Sequence, residues 1–272
     1  MDAFRQFVRR YEDVLRTVLP TPNLPAFPPP PPAAPGAPVV LLFSPHPDDE
    51  VITGTLPLRL QRELGARIVN IAVTLGSQPA RRAARSLELG RACALLGWDL
   101  EIHGWTDLTP AAVEDNAPHP QRWSASLIEI LERWQPRWIF YPHAADAHPT
   151  HRAVHLLVTQ ALRAARLREA AWRVETEYWH PLARPNLLVE CPPDSLALLV
   201  AGLCCHEGEI ARNPYHLTLP AWMADNVRRG AELVAPSGSA APGFNFGALY
   251  RVEPALPPGW QAIMPAPSLP GI

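Results

Sequence analysis

The chain has 272 residues, 47% of them hydrophobic, and a formal charge of −2 at neutral pH. That length can bury a substantial core as one α/β domain, and so small a net charge gives no electrostatic ground for nucleic acid or an anionic membrane as partner. All 24 basic residues are arginine, which excludes Schiff-base catalysis by lysine and the phosphate-binding lysine of a P-loop.

In chain order, Phe4, Phe7, Val8, Tyr11, Val14, Leu15 and Val18 recur at helical spacing, predicting an amphipathic helix whose apolar face packs on the fold that follows. Charges interrupt the stretch from Met1 to Leu19, so neither a signal peptide nor a membrane span is expected there. Proline dominates from Pro20 to Pro38, which predicts an extended arm. The expected organisation is therefore an N-terminal helix and arm at residues 1–37, then a single domain at 38–272. Cys93, Cys191, Cys204 and Cys205 show no metal-type spacing, which fits buried thiols in a reducing cytoplasm.

Beyond residue 38, apolar runs predict strands near 38–44, 67–75, 99–103, 137–142, 174–180 and 186–190. Helices are predicted near 50–64, 80–96, 121–134, 151–168, 195–208 and 220–233. This alternation implies crossover units, hence a three-layer α/β sandwich with a mostly parallel sheet. In the third of those helices Trp123, Leu127, Ile130, Leu131 and Trp134 form a stripe assigned to the core. The proline-rich tail after Tyr250 reads as an irregular surface strap.

The polar residues that matter sit at two strand ends. His46-Pro47-Asp48-Asp49-Glu50 follows Val39-Val40-Leu41-Leu42-Phe43, at the carboxyl end of a strand, where α/β sheets keep their active sites. Four of the ten histidines, His143, His148, His151 and His155, cluster after Trp138-Ile139-Phe140-Tyr141. A catalytic zinc needs about three His, Asp or Glu ligands and one open position. His46 and Asp49, three residues apart at a strand-to-helix junction, can aim at one point, and His151 can supply the third ligand. Asp48 is then free to take a proton from the activated water. Asp-Asp-Glu at a helix start also serves as a cap, but the preceding His46-Pro47 favours the metal. His155 reads as packed or supporting, and His103, His119, His180 and His216 as structural or exposed. No Gly-x-Ser-x-Gly surrounds Ser44 or Ser77, so a serine nucleophile is not expected.

Ser44-Pro45-His46-Pro47-Asp48-Asp49-Glu50 with His148-Pro149-Thr150-His151 resembles the PIG-L/LmbE-like family of zinc-dependent N-deacetylases. Thr74-Leu75-Gly76, Arg85, Glu88 and Leu96-Gly97 resemble its next strand, loop and helix, so the resemblance spans roughly residues 38 to 210. It implies a Rossmann-like fold, one zinc per chain, and loss of an acetyl group from an N-acetylated amino sugar or glycoconjugate. Carried over, His46, Asp49 and His151 are metal ligands, Asp48 is the general base, and His148 is the protonated partner of the oxyanion and leaving amine.

The resemblance also implies that Arg85 and Asp107 contact substrate, although an Arg85 ion pair with Glu88 fits equally well. His143 is the competing acid, because it follows the same strand. The family usually has aspartate where Thr150 stands, so the carboxylate for His148 is expected from Asp146 or is lacking. His206-Glu207-Gly208-Glu209 matches the family's late His-x-Ser-Gln element only loosely. Other readings are hydrolysis of a non-sugar acetylated metabolite and a metal-containing binding protein without turnover, which the Thr150 departure favours. Oligomeric state has no signature in the sequence.

Overall fold

The computed structural model describes residues 1–19, 27, 33–114 and 118–270, and only the backbone of 118–122. Most of the predicted proline-rich arm, the side chain of His119 and the last two residues lie outside the described residues. Helix α1 (Asp2–Leu15) precedes β1 (Val39–Ser44), α2 (Asp49–Ile52), α3 (Thr55–Leu64) and β2 (Arg67–Ala72). Next come α4 (Arg82–Leu96), β3 (Asp99–Ile102), α5 (Pro110–Glu114), α6 (Pro118–Trp134), β4 (Trp138–Pro142) and α7 (Pro149–Ala164). After them run β5 (Trp172–Thr176), β6 (Leu187–Glu190), α8 (Pro193–Cys204), α9 (Glu207–Ile210), α10 (Tyr215–Leu233), β7 (Gly247–Glu253) and β8 (Ile263–Met264).

The eight strands form one sheet in the order β3-β2-β1-β4-β5-β7-β6-β8, in which β7 alone runs antiparallel to both its neighbours. From β1 the chain winds outward through β2 to β3, then crosses back to β4 on the other side of β1. That reversal makes the carboxyl ends of β1 and β4 a topological switch point, the place where open α/β sheets bind ligands. Alternate residues of β1 feed two cores. Val40 and Leu42 pack with the α3, α4, α8 and α10 layer, while Leu41 and Phe43 pack with α6 and α7. Helices thus cover both faces, giving the expected Rossmann-like three-layer sandwich, and the α6 stripe is core as read.

Three expectations need correction. The apolar face of α1 is not buried as expected: every residue of that helix is exposed, Phe4 at 73%. The tail after Tyr250 is not a surface strap throughout, because Tyr250 belongs to β7 and Ile263–Met264 add the edge strand β8. The helix expected at 50–64 is broken at Thr53 and Gly54, where an added Cβ would meet Leu199 Cδ2 at 2.6 Å. Buried Tyr250 bridges this break, its hydroxyl donating to the Thr53 carbonyl (2.9 Å) and accepting from the Leu56 N–H (3.0 Å). All four cysteines are buried free thiols, and burial pushes those of Cys191 and Cys205 up to about 11. Among the described residues, no helix is long and apolar enough to cross a membrane.

Candidate active site

The turn between β1 and α2 is built around its own carboxylates. The His46 N–H donates to Asp49 Oδ2 (2.8 Å) and the Asp48 N–H to Glu50 Oε2 (2.9 Å), which holds Asp48 at φ +106°. So positive a φ in a non-glycine residue is strained and persists only where the surroundings over-determine it. Glu50 is in turn tied to His206, whose Nε2 lies 2.8 Å from Oε1, with both side chains fully buried. Arg85 closes the turn from the α4 side by donating to the Pro47 carbonyl (2.9 Å). The glycine at 76, with φ +85°, makes room for that guanidinium: a Cβ there would lie 2.2 Å from Arg85 Nη1. Arg85 faces Glu209 at 3.7 Å, whereas Glu88 pairs with Arg81.

Across the switch point the loop after β4 delivers His148 and the first turn of α7 delivers His151. His46 Nδ1 and His151 Nε2 lie 3.2 Å apart, and Asp49 Oδ2 is 3.4 Å from the first and 3.3 Å from the second. Zinc held tetrahedrally at roughly 2.0–2.1 Å from each donor sets the donors roughly 3.3 Å apart. The three side chains picked from the sequence therefore have the spacing of one coordination face. A nitrogen of His148 comes within 4.8 Å of those of His46 and His151, a looser fit.

Supporting groups complete the arrangement. Asp146, 1% exposed, places Oδ2 3.4 Å from His151 Nδ1 and accepts from the backbone N–H groups of His148 (2.7 Å) and Trp179 (3.2 Å). It thus serves the His151 ring and the loop, not the His148 ring. His148 caps α7, its Nδ1 accepting from the Thr150 N–H at 3.2 Å. A nitrogen that accepts carries no proton, so this contact places the hydrogen of the neutral ring on Nε2. Burial and then the neighbouring His46 and His151 push its pKa down to about 4.

The carboxylates are driven apart electrostatically. Burial works against charge on Asp49, but His151 and His46 outweigh it and hold the carboxyl well below its usual range. Burial and the adjacent Asp49 raise Asp48 well above that range, with Arg85 pulling the other way. Burial also opposes charge on His151, yet Asp49 and then Asp146 lift it to about 9.

His46, Asp48, Asp49 and His148 open into a cavity of about 860 Å³, which Arg85 and the exposed Asp107 also line. His143 does not reach it: this residue is buried, with Nε2 2.8 Å from the His180 carbonyl. Several lining residues went unread in the sequence. Tyr178 stands edge-on to His151 with centroids 4.7 Å apart, its hydroxyl 3.5 Å from Thr53 Oγ1. Its position just past β5 was the available signal. Trp105, Trp179, Tyr215, Leu219 and Trp222 also line the cavity.

Residues 41–162 match the PIG-L family model, described as GlcNAc-PI de-N-acetylase. Over 170 residues the chain is 32% identical to the 1D-myo-inositol 2-acetamido-2-deoxy-alpha-D-glucopyranoside deacetylase of Nocardia farcinica, covering 52% of this chain and 56% of that protein. The chain thus aligns with little more than half the length of that relative. Among solved structures, a conserved protein from Thermus thermophilus superposes with TM-score 0.60 at 22% identity, over 82% of this chain and 98% of that one. N,N'-diacetylchitobiose deacetylase from Pyrococcus horikoshii gives 0.58 at 18%, over 80% and 84%. The hydratase GalB from Pseudomonas putida gives 0.63 at 16%, over 81% and 98%. At these identities the likeness shows a shared fold, one that serves hydrolase and hydratase alike.

Proposed function

We propose, from the match of residues 41–162 to the PIG-L family model, that this protein is a zinc-dependent hydrolase removing an acetyl group from an N-acetylated amino sugar or glycoconjugate. The observation that carries the reading is the mutual spacing of His46 Nδ1, Asp49 Oδ2 and His151 Nε2, 3.2 to 3.4 Å, at the mouth of the cavity. These residues would hold one zinc per chain, with Asp146 orienting His151. When bound, the metal supplies Lewis acidity toward the acetyl carbonyl and acidifies water at the site.

The chain's own groups do the rest. Asp48, beside a ligand yet not part of the donor triangle, takes the proton from attacking water and passes it to the leaving amine. Its raised pKa suits that exchange, and the Arg85 charge keeps the carboxylate form accessible. The His148 Nε2–H donates to the oxyanion of the tetrahedral intermediate. Acetate and a free amine leave, and no covalent intermediate is needed.

Incubating metal-loaded protein with N-acetylglucosaminides and measuring free amine tests the reading. Stoichiometric amine and acetate support it. Bound zinc with no amine from any acetylated substrate would favour a binding protein instead.

A further inference from the structure

A single peptide unit in the turn after β1 is held at both of its polar ends. The Pro47 carbonyl accepts from Arg85 Nη2 (2.9 Å), and the Asp48 N–H donates to Glu50 Oε2 (2.9 Å). These two groups point to opposite sides of a planar peptide, so Arg85 and Glu50 grip it from either side. Turning the peptide over would break both contacts and return Asp48 from φ +106° to the ordinary negative range. Among the described residues no hydrogen bond orients the Asp48 carboxylate itself, so its aim depends on this backbone.

Both grips lead back to α9. His206, which immediately precedes that helix, places Nε2 2.8 Å from Glu50 Oε1, and Glu209 within the helix faces Arg85 at 3.7 Å. Residues three apart share one side of a helical turn, which lets one short helix reach both arms. The helix is itself fastened to α4. The Gly208 N–H donates to Glu88 Oε1 (3.2 Å) and Arg91 pairs with Glu207 (2.9 Å). Arg81, the other partner of Glu88, lies so close to Gly208 that any Cβ there would collide with its guanidinium. The His206 side chain is fully buried and takes no part in lining the cavity. All of α9 lies beyond residues 41–162, the segment that matches the family.

Resting on the reading of Asp48 as the base, we propose that His206 and Glu209 are positioning residues. Acting through Glu50 and Arg85, they hold the Pro47–Asp48 peptide in its strained orientation and so aim the Asp48 carboxylate into the site.

Two readouts on the zinc-loaded full chain test this. The first needs no substrate: in NMR spectra the Asp48 amide proton should lie downfield and exchange slowly, and in His206→Ala it should move upfield and lose roughly tenfold or more in protection. The second is kinetic. His206→Ala should lower kcat by roughly 10²-fold with KM little changed, because a small displacement of a catalytic group costs about that much. His206→Gln, whose amide can donate to Glu50, should recover most of the loss, and in the Asp48→Asn background His206→Ala should cost no more. Glu209→Gln, which weakens the other arm, provides the same two readouts if His206→Ala does not fold. An Asp48 amide unchanged in both variants would overturn the proposal. So would a fall in kcat repeated in full in the Asp48→Asn background, which is what a purely structural role predicts. If the amide responds as expected but the unaltered protein releases no amine from any N-acetylglucosaminide, the deacetylase reading fails while the clamp on the peptide stands.

Discussion

The Asp146 carboxylate lies 3.4 Å from Nδ1 of His151, while the Asp49 carboxylate lies 3.3 Å from Nε2 of the same ring. One imidazole is thus held between two buried acids, one facing each ring nitrogen. Asp146 also receives the backbone N–H groups of His148 and Trp179, so it joins the loops after β4 and β5 around that ring.

Asp146→Asn should therefore weaken zinc binding without emptying the site. Loss of a carboxylate behind a ligating histidine typically costs roughly 10–100-fold in metal affinity. Competition with a chelator of known affinity reads this directly. Unchanged affinity would show that His151 is oriented by other contacts, and total loss would place Asp146 among the ligands.

Replacing Asp48, the proposed base, separates chemistry from metal retention. Asp48→Asn keeps shape and leaves in place the backbone N–H that donates to Glu50, but its side chain cannot take a proton, so turnover should fall by roughly 10²–10⁴ with zinc still bound. Elemental analysis beside the amine assay decides the matter. Metal loss in this variant would exchange the assignments of Asp48 and Asp49.

Much of this site was readable because two short signals lie at strand ends. The unbroken apolar run of β1 gives its parallel, doubly buried setting, and His46 to Glu50 follow at once. Four histidines within thirteen positions mark the second strand end, and α7 fixes which of them can converge. The Glu50–His206 and Asp146–His151 pairs were not readable, because a buried acid and its partner carry no spacing rule when one crosses from another element. Leu219 and Trp222 look like any core stripe of an amphipathic helix. Only the packing of α10 shows that part of that stripe faces a cleft. Strand β7 went unread because prolines follow it closely and its antiparallel insertion breaks the alternation of strand and helix.

The Glu50–His206 pair underlies the strained turn at Asp48. His206→Ala leaves a fully buried carboxylate without its partner, a change that destabilises by about 3–5 kcal/mol where a buried pair is broken. A fall in Tm is expected, and His206→Gln, which can still donate to Glu50, should recover part of it. Thermal unfolding of both variants tests this. A His206→Ala protein as stable as the parent would mean that Glu50 is satisfied by the Asp48 N–H alone.

The C-terminal segment should respond to acid through Glu63. This carboxylate accepts from Arg59 and from the N–H groups of Ser268 (3.0 Å) and Leu269 (2.9 Å), while buried Arg59 donates to the Met264 and Pro265 carbonyls (both 2.9 Å). Burial disfavours the Glu63 charge, but the Arg59 hydrogen bond and those N–H groups outweigh it and hold its pKa below the usual value. A depressed pKa stabilises the fold above the unfolded value of about 4.3, and that contribution disappears as pH falls through the folded value. Hydrogen exchange, corrected for its intrinsic pH dependence, should show residues 263–270 protected from pH 7 to 5 and loosened below. Glu63→Gln should loosen them at neutral pH and flatten the response. Equal protection in both proteins at pH 7 would remove Glu63 from this role.

A neutral His148 and an acid one differ in which side chain can replace them. With Thr150 N–H donating to Nδ1, the ring offers a hydrogen on Nε2 and has none to spare. A glutamine amide can also donate to an oxyanion but cannot serve as a general acid near neutral pH. His148→Gln should therefore keep turnover within about tenfold of the parent, whereas His148→Ala should lose roughly 10²–10³. Burial, and then the neighbouring His46 and His151, lower the pKa of the ring from the usual 6.5 to about 4, so it is almost wholly neutral between pH 6 and 8. Raising the pH from 6 to 8 thus removes no proton from His148, and the rate should show no alkaline fall attributable to it. If His148→Gln is as inactive as His148→Ala, and the parent's rate falls between pH 6 and 8 with a limb that both variants abolish, the ring acts as imidazolium. The Thr150 contact would then have to break during turnover.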